Sequence, residues 1–217
     1  MSAGIVFDLD ETLVNRRGSL DLYAGLLWSR YRDRTPLGQS AFTAVFHELD
    51  GNGRVPRPQF FASLSQRALN EVGPDQIAEH FRDHAWRSPL LFDGVVEYLQ
   101  ELKQRGYAIG IVTNGGSHSQ NAKIANSGLD PHVDAFVISE EFGVKKPDPA
   151  IYHEVAARLG IDPEQSWFAG DDPISDVVGP ASVGFRTAWV ERYLPWPDDR
   201  ERVYQQRVTH VSELQLE

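Results

Sequence analysis

The sequence predicts an α/β protein, a doubly wound parallel sheet with an all-helical subdomain inserted after the first strand. Three observations predict it. Short apolar runs end in acidic or small polar residues, helix-period patterns lie between those runs, and one long stretch carries helix periodicity alone.

The first run, Ile5-Val6-Phe7, leads into acid, as a buried parallel strand does at the carboxyl edge of a sheet. Residues 15–90 then hold no strand-like run. Within them Leu20, Tyr23, Leu26, Leu27 and Tyr31 recur at helical spacing, as do Phe42, Val45, Phe46 and Leu49. The same spacing links Phe60, Leu64, Ala68 and Leu69, and then Ile77, Phe81 and Ala85. These four helices predict a separate helical subdomain over residues 15–90, with linkers at 15–18 and 88–93, and a core built from residues 1–14 and 91–217.

The core resumes with a helical pattern over 95–105, which stops at Gly106, and a strand run Ala108-Ile109-Gly110-Ile111-Val112-Thr113. A helix over 120–126 stops at Gly128, Ala135-Phe136-Val137-Ile138-Ser139 reads as a strand, and a helix over 150–159 stops at Gly160. Glycine is a common residue at such ends. Ser166-Trp167-Phe168-Ala169-Gly170-Asp171 and the shorter Thr187-Ala188-Trp189-Val190 complete the strand runs. Strands alternating with helices imply right-handed crossovers and a mostly parallel sheet. Residues 192–202, rich in Pro and Asp, predict a surface loop before Val208-Thr209-His210-Val211.

Composition narrows the function. The chain has 217 residues, 41% of them hydrophobic, with no cysteine, so disulfide scaffolds and thiol-dependent sites are excluded. No apolar run approaches the roughly 18 to 20 residues that span a bilayer. The start, MSAGIVFDLDET, is acidic by position 8 and lacks the basic and apolar regions of a signal peptide, which predicts a cytoplasmic protein with no membrane partner. A net charge of −10 opposes binding to a nucleic-acid polymer but does not bar a small anion held locally.

The chemistry is concentrated at the strand ends. Asp8 and Asp10 close the first run at a spacing of two, which puts both carboxylates on one side of an extended chain. Like charges at a buried edge repel and lose hydration, so a divalent cation is an expected partner. Taken in isolation, two such acids read more simply as turn formers. Open α/β sheets, however, bind ligands beyond the carboxyl ends of their strands, and the other ends are also polar. Thr113-Asn114-Gly115-Gly116 offers a hydroxyl and backbone N–H groups suited to phosphate oxygens. Lys145-Lys146-Pro147-Asp148-Pro149 follows the third run, and Gly170-Asp171-Asp172-Pro173-Ile174-Ser175-Asp176 ends the fourth. Each has a plainer reading alone, with Asp172 or Ser175 simply capping a turn. Together they place an acid pair, a phosphate-like cradle, a lysine and a second acid cluster on one sheet edge.

In order, Asp8-Leu9-Asp10-Glu11-Thr12, Val112-Thr113-Asn114-Gly115, Lys146-Pro147-Asp148-Pro149 and Gly170-Asp171…Asp176 resemble the four motifs of the haloacid dehalogenase-like hydrolase superfamily. The resemblance covers essentially the whole chain. The insert resembles the family's C1-type helical cap, which in relatives closes over the site and selects the substrate. Val112-Thr113-Asn114-Gly115 and Ser139-Glu140-Glu141-Phe142-Gly143-Val144 look closest to capped phosphatases and nucleotidases of the subfamily I type.

The resemblance implies a Mg²⁺-dependent phosphatase acting on small-molecule phosphomonoesters. Asp8 would be the nucleophile, forming an aspartyl-phosphate, and Asp10 the general acid/base. Asp8, the backbone carbonyl of Asp10 and Asp171 would hold Mg²⁺, with Asp176 orienting a metal-bound water or Lys146. Thr113, Lys146 and the backbone N–H of Asn114 would bind the phosphoryl oxygens; Thr113 and Lys146 thereby count among the catalytic residues. Dehalogenases of the family lack an acid at the position of Asp10, because halide leaves without a proton, so phosphoester hydrolysis is favoured over carbon–halogen cleavage. A phosphomutase of the same superfamily would use the same acid pair, and a binding protein could keep the fold without turnover. The chain is expected to be a monomer or homodimer. One departure is Phe92-Asp93-Gly94, where relatives usually have proline before the glycine.

Other features read more simply. His80 and His84 lie four apart, but Phe81 stands where a zincin has Glu, so a solvated helix face is expected. Asp50-Gly51-Asn52-Gly53 predicts a tight turn, and Trp28 and Phe46 predict core. Arg54 or Arg57, or Arg16 and Arg17, could contact an acidic or phosphorylated substrate, or could simply be surface charge.

Overall fold

The computed structural model describes residues 3–216. The chain divides into two compact units, one running to Asn15 and resuming at Leu90, the other Arg16–Pro89.

The first unit is a six-stranded, wholly parallel sheet in the order β3-β2-β1-β4-β5-β6. Its strands are β1 (Gly4–Phe7), β2 (Ala108–Thr113), β3 (Ala135–Ile138), β4 (Trp167–Gly170), β5 (Arg186–Val190) and β6 (Gln206–Val208). The strand order reverses at β1, so the carboxyl ends of β2, β1 and β4 form the crevice where such sheets bind ligands.

The apolar runs explain the layers. Successive side chains of β1 point to opposite faces: Ile5 and Phe7 join one core with Leu99 and Leu102, and Val6 joins the other with Tyr152, Val155 and Phe168. The sheet is therefore buried on both sides, and each of these residues is fully enclosed. Asp148 starts one covering helix, its carboxylate accepting from Ala150 N–H at 2.9 Å, and Pro149 follows at the first helical position. That helix runs Pro149–Leu159 and closes at Gly160 with a left-handed φ of 64°.

The sixth strand lies outside the sequence expectation. Gln206–Val208 is three residues long and mostly polar, and it pairs with β5 only at the sheet edge, where alternation is too short to register. The loop over 192–202 is anchored by aromatic packing: Trp196 meets Trp189 edge-on at 5.7 Å, and Tyr204 at 5.0 Å.

Among its described residues the second unit holds four α-helices and no strand: α1 (Arg16–Tyr31), α2 (Gln39–Asp50), α3 (Arg57–Ala68) and α4 (Pro74–His84). Their apolar stripes bury Leu20, Leu27, Phe42, Phe46, Phe60 and Leu64 completely. Asp50 ends α2 in the interior, 1% exposed, where it accepts Arg16 Nη2 on both oxygens at 2.8 Å, Arg57 Nη1 at 2.8 Å and Gly53 N–H at 2.9 Å. Burial alone would raise the Asp50 carboxyl, but the two guanidinium groups outweigh it and hold the group below the usual carboxylate range. The turn at Gly51–Gly53 is thus pinned from within, and Arg16 and Arg57 have partners inside this unit. Arg57 also lies 4.7 Å over the Phe81 ring.

The expected solvated face of α4 is instead half buried: His80 Nδ1 lies 3.1 Å from the Tyr23 hydroxyl, and its ring stacks on His84 at 4.2 Å. No described helix is long and apolar enough to cross a membrane.

Candidate active site

Asp8 stands one residue beyond β1, where its N–H still bonds the Ala169 carbonyl of β4 at 2.9 Å. The strand ladder therefore fixes its backbone, and only 6% of the residue remains exposed. Lys146 reaches the same point from the loop after β3. Its ammonium donates to Asp8 Oδ1 at 2.7 Å, Asp176 Oδ1 at 2.6 Å and the Val112 carbonyl at 2.9 Å, which uses all three protons. Asn114 sets that loop, since its side chain both accepts from Lys146 N–H at 2.9 Å and donates to the Lys146 carbonyl at 3.0 Å.

The acids after β4 are held as firmly. Asp172 caps the helical turn Pro173–Val178, accepting from Ile174 and Ser175 N–H at 2.9 and 3.0 Å. Asp172 N–H in turn donates to Asp176 Oδ2 at 3.0 Å. Trp189 on β5 donates its indole N–H to the Asp171 carbonyl at 3.1 Å. Gly170 makes the arrangement possible, because a methyl group there would lie 2.6 Å from Asp176.

Asp8, Asp171 and Asp176 present carboxylate oxygens within 4.8 Å of one another. One ammonium meets two of these three carboxylates, Asp8 and Asp176, in a place almost closed to water. Burial, with repulsion from Asp176 and Asp10, pushes the Asp8 carboxyl up to about 7 in spite of Lys146. Burial likewise raises Asp171, with Asp8 adding repulsion, and raises Asp176 against the pull of Lys146. Burial opposes charge on Lys146, but Asp176 and Asp8 prevail and hold it protonated well above the usual lysine range. This excess of desolvated negative charge with oxygen-only donors fits a hard divalent cation such as Mg²⁺.

Asp10 lies past the end of the strand, close enough to Asp8 for its charge to help raise the Asp8 carboxyl. The strand ends at Phe7, Glu11 takes a φ of 61°, and the Asp10 carboxylate meets α6 (Ser117–Asn126), the next helix along the chain after α5 (Val95–Gln104). There Lys123 Nζ lies 2.7 and 2.6 Å from its two oxygens, and Gln120 Nε2 lies 3.0 Å from Oδ2. Gln120 also donates to Thr113 Oγ1 at 2.5 Å, which ties the fully buried Thr113 to the same cluster. Sequence reasoning missed Gln120 and Lys123. Their spacing of three does put both on one helix face, directly after the Thr113-Asn114 loop, and that was the available signal.

The model of the haloacid dehalogenase-like hydrolase family matches residues 3–184. The chain is 33% identical over 195 residues to a phosphoserine phosphatase of Thermus thermophilus, covering 88% of this chain and 72% of that one. It is 36% identical over 189 residues to a glyceraldehyde 3-phosphate phosphatase of Pyrococcus furiosus, covering 85% and 79%. Its fold is similar to that of a magnesium-bound HAD-hydrolase of Bacillus subtilis, with a TM-score of 0.75, 21% identity, and 97% and 96% of the two chains covered. The protein is a hydrolase, and it belongs to the haloacid dehalogenase-like family, where its relatives include enzymes named as phosphatases.

Proposed function

We propose that the protein is a Mg²⁺-dependent phosphatase that hydrolyses small phosphomonoesters through an aspartyl-phosphate on Asp8. The observation that carries this reading is the buried group Asp8, Lys146, Asp171 and Asp176, in which a nucleophile, a phosphoryl-binding cation and a metal-binding acid set share one enclosed sheet edge.

Asp8 attacks phosphorus with one carboxylate oxygen while the bond to the ester oxygen breaks. Phosphoryl transfer of this kind depends chiefly on positioning and charge neutralisation. Lys146, Thr113 and the Asn114 backbone N–H bind the phosphoryl oxygens, and Asp176 orients the Lys146 ammonium. Asp10 gives its proton to the departing alkoxide and then takes one from the water that hydrolyses the aspartyl-phosphate, releasing inorganic phosphate and restoring Asp8. Asp8, Asp171 and the Asp10 carbonyl would hold Mg²⁺, which supplies neutralisation of the phosphoryl charge. An acid at position 10 suits an alkoxide leaving group and is unnecessary for halide, which favours the phosphoester over a haloacid substrate. The helical unit, Arg16–Pro89, would act as the cap that selects among phosphoesters, and the names of the relatives make phosphoserine and triose phosphates the first to try.

The test is phosphate release from phosphoserine, glyceraldehyde 3-phosphate, other sugar phosphates and nucleoside monophosphates, with Mg²⁺ and with EDTA, for the native protein and Asp8→Asn. Metal-dependent release that disappears in the variant is the expected result. No release from any member by a folded protein that binds Mg²⁺ would overturn the reading in favour of a mutase or a binding protein.

A further inference from the structure

Lys123 is 3% exposed, and a lysine this deep needs a partner for its charge. It has Asp10 on both oxygens, and it donates a third bond to Gln120 Oε1 at 2.7 Å. Gln120, 2% exposed, closes the circuit by donating to Asp10 and to Thr113 Oγ1. Both residues stand on α6, whose rigid first turns follow directly from the Thr113 loop. Gly115 leaves the room: a methyl group at that position would lie 2.9 Å from Gln120 Cδ. The Asp10 side chain is 22% exposed, so these contacts hold its base while leaving part of the carboxylate open.

We propose that Lys123 and Gln120 are positioning residues for Asp10, fixing its carboxylate in register with Thr113 so that the proton donor and the phosphoryl-binding hydroxyl are placed as one rigid piece. The inference rests on the acid/base role given to Asp10 above. Three fixed contacts define the plane and direction of a side chain that follows the strand in a turn and would otherwise rotate. General acid catalysis contributes about 10² to 10⁴ in rate, and a misplacement of about 1 Å forfeits about 10².

Leaving-group dependence separates this role from a purely structural salt bridge. Release of an alkoxide needs the proton from Asp10, whereas p-nitrophenolate leaves without it. With an alkyl phosphate, Lys123→Met is expected to lower kcat/KM about a hundredfold. With p-nitrophenyl phosphate, kcat/KM stays within about threefold while kcat and KM fall together, because water attack on the aspartyl-phosphate still needs Asp10. A burst of about one equivalent of p-nitrophenolate then precedes slow turnover. Lys123→Arg should recover most of the alkyl phosphate rate.

Asp10→Asn is the reference, and it should show the same pattern more strongly. If Asp10→Asn loses both substrates equally, the acid/base reading itself fails. If Asp10→Asn discriminates between leaving groups and folded Lys123→Met does not, the positioning role is overturned. Should Lys123→Met fail to fold, Gln120→Met reads the same ratio, with an expected loss of about tenfold on the alkyl phosphate alone; an unchanged ratio there also overturns the proposal.

Discussion

Replacing Gly170 with alanine places a methyl group 2.6 Å from the Cβ, Cγ and Oδ2 atoms of Asp176. That is about 0.8 Å inside the 3.4 Å of an ordinary contact, so one side must move. Asp176 is 1% exposed and has nowhere to turn. A shift of about 0.8 Å would stretch its bonds from Lys146, now 2.6 Å, and from Asp172 N–H, now 3.0 Å, to the limit of hydrogen bonding or beyond. Overpacking of this kind costs about 1 to 3 kcal/mol, and loss of a charge-assisted bond about 1.5 to 3 kcal/mol. Gly170→Ala should therefore destabilise the protein by about 3 to 6 kcal/mol in urea unfolding, and displacement of Lys146 should reduce kcat about a hundredfold. Gly38→Ala is the control, since nothing lies within 4 Å of the methyl group it would add. A Gly170→Ala protein within about 0.5 kcal/mol of the native one, with unchanged kcat, would refute the idea that Asp176 is wedged in place to hold Lys146.

Asp50→Ala leaves the Arg16 guanidinium, 9% exposed, without its carboxylate and should cost about 3 to 5 kcal/mol, whereas Arg57, 35% exposed, can turn to water. Urea unfolding, or faster amide exchange confined to residues 16–89, would register it; a loss below about 1 kcal/mol would contradict it. The Asp8 carboxyl, pushed up to about 7 by burial, should make metal-free protein less stable as pH rises. Between about pH 4, where the unfolded carboxyl loses its proton, and about 7 the folded state binds more protons, so stability falls across that window. Thermal unfolding in EDTA should show a lower Tm at pH 7.5 than at pH 5, with Mg²⁺ raising the higher-pH value and Asp8→Asn flattening the trend. An Asp8→Asn profile as steep as the native one would sink this. Asp172→Ala removes the cap on Pro173–Val178 and should cost about 1 kcal/mol by the same unfolding assay.

The sheet and the helical unit were legible because burial on both faces of a parallel strand leaves continuous apolar runs such as Ile5-Val6-Phe7, and one-sided burial leaves stripes such as Phe42 and Phe46. Asp8 and Asp171 could be nominated because each stands just past a strand run, where a polar residue has no packing reason to be, whereas Lys146 and Asp176 lie further along and were marked by the ordered motifs around them. Their pairing could not be read: which carboxylates the Lys146 ammonium meets depends on the strand order β2-β1-β4, which the sequence does not state. Gln120 and Lys123 stayed hidden for a related reason. A polar helix face looks the same in sequence whether it meets water or Asp10, and only the packing of α6 decides between them. His80 shows the same ambiguity on a smaller scale, since its partner Tyr23 lies 57 positions away.

The most direct test of the account is to trap the covalent state of Asp8. Protein mixed with a ³²P-labelled phosphoester in Mg²⁺ and quenched in acid should carry label that hydroxylamine releases, on the peptide containing Asp8, and Asp8→Asn should carry none. Label on another residue, or phosphate release at full rate from Asp8→Asn, would contradict the assignment of Asp8 as nucleophile.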